Sequence, residues 1–133
     1  KTFYNTFRNA AITRLPALNS QNVSDLQSTF GGGWLVTIDK LILKSDGTQS
    51  FTSTFYGCTG LKNIIMEGII GNDFDIHWSP LTKASFTSII NALSSTVEGK
   101  TVSFSKAAKE AAFTEEEWAA LIGTKSNWTV ALS

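Results

Sequence analysis

The feature that most constrains this chain is an internal recurrence. A small polar residue followed by Thr-Phe, a short loop and two aliphatics three residues apart occurs three times. The first copy runs Asn5-Thr6-Phe7 with Ile12 and Leu15, the second Ser28-Thr29-Phe30 with Leu35 and Ile38, and the third Ser53-Thr54-Phe55 with Leu61 and Ile64. The phenylalanines lie 23 and 25 residues apart, and Trp78 with Leu81 stands where a degenerate fourth copy would fall. A period of 20–29 residues is the range of stacked repeats, each of which cannot bury its own apolar stripe and so stacks on its neighbours. Phe7, Phe30 and Phe55 are thus expected to form one interior ladder.

Within each copy the spacing predicts strand-like stretches, Leu35–Leu43 and Leu61–Ile70, separated by turns at Asp46-Gly47 and Gly71-Asn72. In "NVSDLQSTF" (22–30), Val23, Leu26 and Phe30 fall at helical offsets, with Asn22 or Ser24 as a cap, which predicts one or two helical turns there.

After Pro80 the recurrence stops. Phe86, Ile89, Ile90 and Leu93 sit at i, i+3, i+4 and i+7, one face of a helix capped by Thr82. Residues 101–104 alternate like a strand. In "FTEEEWAALIG" (113–123), Thr114 and Glu117 form a capping box, Phe113 and Trp118 a hydrophobic staple, and the three glutamates suit a helix N-terminus. Trp128, Val130 and Leu132 alternate again. Residues 101–132 therefore read strand–helix–strand, a parallel pair at the end of the repeat sheet. The expected fold is an α/β repeat solenoid: short leucine-rich-repeat coils over residues 1–80, closed by an α/β cap over residues 81–133 of the same domain.

With 133 residues, 42% of them apolar and 17% charged, the chain is one ordinary globular domain. Eleven basic residues balance eleven acidic ones, which leaves no net field to attract nucleic acid or an anionic membrane. No apolar run approaches the roughly 18–20 residues of a membrane span. No signal peptide opens the sequence, so Lys1 reads as the start of a processed or trimmed chain. The single cysteine, Cys58, has no intramolecular partner and leaves the redox compartment open.

The motif Phe55-x-x-Cys58-x-x-Leu61-x-x-Ile64 resembles the coil signature of the BspA-like leucine-rich-repeat family, and "LNSQNVSDLQSTF" (18–30) resembles a variant of it. The stretch from Pro80 onward is similar to the closing segment common at the C-terminus of such proteins in gut-type bacteria and their phages. The first two copies depart from the signature, with "FRNAAI" and "FGGGWL" lacking the cysteine. The resemblance implies a surface-displayed or virion-associated, non-catalytic module for adhesion or recognition. It also implies an inward-facing, structural Cys58.

Several residues invite a chemical reading. Gly31-Gly32-Gly33 lacks the Lys-Ser/Thr and the helix start of a phosphate loop, so a tight corner with Trp34 packing nearby is the expectation. His77 is the sole histidine. It alternates with Asp73 and Asp75, which on a strand would share a face, but one such run supplies too few ligands for a metal centre. Glu115, Glu116 and Glu117 are explained by the helix start, and no nucleophile motif such as G-x-S-x-G is present. Asn22-Val23-Ser24 and Asn127-Trp128-Thr129 match the glycosylation pattern, which matters only in a secretory eukaryote.

Binding is expected instead on the strand face, where stacking brings equivalent side chains together. The polar positions beside the ladder aliphatics are Arg14, Asp39, Lys40, Lys62, Asn63 and Glu67. Trp34 and Trp78 are the candidate aromatic anchors. Each also has a bland reading, as a solubilising charge or as a lid on the apolar ladder. The expectation is a non-enzymatic recognition or adhesion module, without cofactor or metal. It would bind a protein or glycan on a cell surface, from a bacterial surface protein or a phage tail. The alternative is an assembly domain, continuing into further N-terminal repeats or joining other subunits.

Overall fold

The computed structural model describes residues 1–133. The chain begins with β1 (Arg14–Leu15) and β2 (Leu18–Asn19), which lie along the same edge of β3 (Thr37–Ile42) as two halves of one interrupted strand. Pro16 falls in the gap, where its missing N–H removes a ladder bond. β4 (Asn63–Glu67) pairs with the other edge of β3, and every pairing in this sheet is parallel. The β3–β4 register slips between Ile38 and Leu41, so one extra residue of β3 bulges at Asp39–Lys40.

A second parallel sheet has the order β5 (Phe74–Asp75), β6 (Lys100–Phe104), β7 (Trp128–Leu132). Three helices accompany the sheets: α1 (Lys83–Ala92), α2 (Lys106–Ala112) and α3 (Glu115–Gly123). Thr82 caps α1 and the Thr114–Glu117 box caps α3, with the Phe113 and Trp118 rings 5.3 Å apart as the staple requires. The helix α2 has no counterpart among the sequence expectations, because its alanine-rich run "KAAKEAA" carries no periodic apolar stripe.

The fold is a compact α/β domain with two small parallel sheets and three helices, which corrects the expected solenoid closed by an α/β cap. Two local events account for the difference. Beyond β4 the chain leaves the first sheet and forms β5, which pairs with β6. The far edge of β4 is then taken by α1, whose Ser85 and Ser88 hydroxyls accept the N–H groups of Ile64 and Met66 at 3.0 and 2.8 Å. Residues after Pro80 supply much of one continuous core of 29 buried side chains. Around Phe86, the rings of Phe104, Phe113 and Trp118 lie 5.0, 5.5 and 5.7 Å away.

The recurrence itself has a physical origin. Phe7, Phe30 and Phe55 stack with centroid separations of 5.9 and 5.4 Å. Asn5, Ser28 and Ser53, the small polar residues before each Thr-Phe, all take left-handed backbone, with φ of 56°, 54° and 52°. Thr29 Oγ1 and Thr54 Oγ1 both donate to the carbonyl of Leu26, at 2.7 and 2.9 Å. The helical turns expected over 22–30 are absent for the same reason. Leu26, Ser28 and Phe30 direct their N–H groups sideways to the carbonyls of Ser50, Thr52 and Thr54 rather than back along the chain. Gly32 belongs to this arrangement: its φ is +117°, and a Cβ there would lie 2.7 Å from Asn9 Oδ1.

Candidate functional site

The charged positions expected on the strand face are brought together, and they neutralise one another. Arg14 on β1 forms a two-pronged ion pair with Asp39 on β3, both bonds 2.9 Å, which holds the guanidinium above its usual pKa. Lys40 on β3 pairs with Glu67 on β4 at 2.9 Å. Both pairs bridge neighbouring strands at the β3 bulge. Asn63 reaches Thr37 Oγ1 at 3.4 Å, while the exposed Lys62 uses its carbonyl to hold Ser85 Oγ and Thr82 N–H. Exposed pairs of this kind contribute little to stability. Their partners also compete with any ligand.

Trp34 and Trp78 are both on the surface, 59% and 41% exposed, but in different surroundings. Trp34 follows the glycine corner without an aromatic neighbour. Trp78 meets the exposed Tyr56 edge-on at 5.4 Å, and His77 lies 4.5 Å from its ring. Tyr56 was not among the expected site residues. Its signal in the sequence is only that it follows the third ladder phenylalanine, as Arg8 and Gly31 follow the first two.

Around this pair runs a cleft between residues 51–56 and 73–78. One lobe is lined by Ser53, Tyr56, Asp75, His77 and Trp78, and a larger one of about 310 Å³ by Thr52, Asp73, Asp75, Thr101 and Ser103 among others. The floor is apolar: the Phe74 ring lies 5.2 Å from Phe51 and 5.5 Å from Phe55. Both ends are tied, by Asn72 Nδ2 donating to the Gln49 carbonyl and Ser79 Oγ donating to the Cys58 carbonyl, each at 2.9 Å.

Asp73, Asp75 and His77 do not act as one ligand set. Asp73 Oδ1 accepts from Thr101 N–H at 2.9 Å, whereas Asp75 Oδ1 accepts from His77 N–H and lies 2.6 Å from its Nδ1. No group of three or more His, Cys, Asp or Glu converges as a metal site would require. Cys58 is buried, donates to the Phe30 carbonyl at 3.0 Å, and burial pushes its thiol up to about 12. Glu115 pairs with the buried Lys109, while Lys83 and the Thr114 N–H hold the exposed Glu117 below the usual carboxylate range. No helix is long and apolar enough to cross a membrane.

Comparison of the chain with protein-family models, curated proteins and solved structures returned no match.

Proposed function

We propose that this domain is a non-enzymatic recognition module that binds a protein or glycan on a cell surface, with the Tyr56–Trp78 cleft as its contact site. One observation carries the reading: two large aromatic rings stand exposed against each other beside a polar cleft, although the fold has buried most of its other aromatic side chains. Exposed aromatics of this kind are typical anchors, being rigid, broad and amphipathic. The mutual pairing of Arg14 with Asp39 and of Lys40 with Glu67 moves the emphasis from the strand face to this cleft. The motif resemblance at Phe55, Cys58, Leu61 and Ile64 points to the same class of role, on a bacterial surface protein or a phage tail.

A binding screen of the purified domain on glycan and extracellular-matrix arrays tests the reading. The expected result is a hit that falls roughly 30-fold or more in Trp78→Ala, as loss of a central anchor does. It should survive in Arg14→Ala/Lys40→Ala. Absence of binding on every array would overturn the proposal.

A further inference from the structure

The three repeated segments are joined by a ladder whose backbone donors run mainly one way, apart from Ser24 donating to Lys1 and Ser50 to Ser24. Phe3, Asn5, Phe7 and Asn9 donate their backbone N–H groups to Asp25, Gln27, Thr29 and Gly31 of the second segment. Leu26, Ser28, Phe30 and Gly32 donate in turn to Ser50, Thr52, Thr54 and Tyr56 of the third. The matching donors of the third segment are the N–H groups of Phe51, Ser53, Phe55 and Gly57. None has an acceptor in the chain. By register they belong to the side a fourth segment would take, and of this row Phe51 and Ser53 line the cleft beside β5. Phe51 and Phe55 are buried residues, and buried backbone donors are almost always satisfied.

The facing wall has the opposite character. Asp73 and Asp75 each engage the chain through Oδ1 and leave Oδ2 without a partner. The hydroxyl-bearing Thr101 and Ser103 lie on the same side, and Tyr56 and Trp78 stand at the mouth. An occupant must therefore accept hydrogen bonds on one side, donate on the other and offer an apolar face to the aromatic rings.

We infer that the cleft binds a neutral carbohydrate ring, whose hydroxyls accept from the Ser53 N–H group and donate to Asp73 and Asp75 while its C–H face rests on Trp78. The inference rests on the recognition reading and names the ligand class of that same cleft. An anion would satisfy the donor row but meets two carboxylates opposite it. A continuous peptide strand would need to run through, whereas both ends are tied by Asn72 and Ser79. A single ring entering from the open side meets neither obstacle, and the lobes of about 130 Å³ at Trp78 and about 310 Å³ at Asp73 adjoin through Ser53 and Asp75.

The test is titration of the uniformly ¹⁵N-labelled chain with the methyl glycosides of glucose, galactose, mannose and N-acetylglucosamine. Capped tetra-alanine and inorganic phosphate serve as competing probes. At least one glycoside should shift the Ser53 amide and the Trp78 indole signal saturably. Trp78→Ala and Asp75→Asn should each weaken that binding about tenfold or more, with the remaining amide spectrum unchanged. Saturable shifts of this row by the peptide or phosphate instead, or glycoside shifts elsewhere on the molecule, would overturn the inference. So would no shift at all. If the glycosides fail while a Trp78-dependent protein ligand is found on the arrays, only the carbohydrate assignment falls. If both fail, the recognition reading falls with it.

Discussion

Ser28 sits at φ 54° in a region that L-residues enter at a cost of about 1–2 kcal/mol, and the ladder to Thr52 and Thr54 holds it there. Ser28→Gly should leave stability within about 0.5 kcal/mol, because relief of strain and loss of unfolded-state restriction oppose each other. Ser28→Val should lower it by about 1–2 kcal/mol, since a β-branched side chain fits left-handed backbone worst. Urea titration of the two variants distinguishes them. The sequence displayed the recurrence of Asn5, Ser28 and Ser53 plainly, but their backbone sign was hidden, because Ser is a common residue in ordinary turns and helix caps as well. Cys58 gives a second prediction at this scale. Its thiol is raised in the fold relative to an unfolded value of about 8.5–9. It therefore contributes stability that is fully present below about pH 8.5 and declines as pH rises toward 12, by about 1.4 kcal/mol per unit. A thiol reagent at pH 8 should accordingly react slowly with the native protein and at once in urea.

Among the elements, α1 is held to β4 by side-chain hydroxyls rather than by packing alone. Ser85 Oγ accepts from Ile64 N–H at 3.0 Å and donates to the Lys62 carbonyl at 2.9 Å. Ser85→Ala would leave a buried donor without a partner and should cost about 1–3 kcal/mol, read from the shift in denaturation midpoint. The apolar face of α1 was legible from Phe86, Ile89, Ile90 and Leu93, and the α3 cap from Thr114 and Glu117. The role of Ser85 was not, because a serine on a helix gives no local sign of the strand it will serve. The same limit hid the cleft: Trp78 was a candidate from the sequence, whereas its pairing with Tyr56 depends on where β5 departs. Glu117 also links elements, through Lys83 on α1 at 2.7 Å. Its folded pKa is lowered, so its contribution is present above about pH 4.3 and is lost as pH falls through the folded value. Glu117→Gln should flatten the acid limb of the stability curve.

For the molecule as a whole, the decisive fact is that one core runs beneath both sheets. The slowest amides of β3 and of β6 should therefore exchange with the same free energy of opening, through a single cooperative unfolding. A lower value for β6 would mean that the second sheet opens separately. Trp118→Ala, which removes a ring packed on Phe86, Phe104 and Phe113, should cost about 3–5 kcal/mol and lower protection in both sheets together. The sequence could not announce this union, because a repeat pattern records contacts between neighbouring segments and is silent on where the pattern is abandoned. The dominant direction of the ladder has a consequence for symmetry. Its opposite terminus carries the carbonyls of Tyr4, Thr6 and Arg8, which have no donor within residues 1–133. A two-fold axis there would set backbone acceptor against acceptor, which disfavours edge-on pairing of two copies at that end.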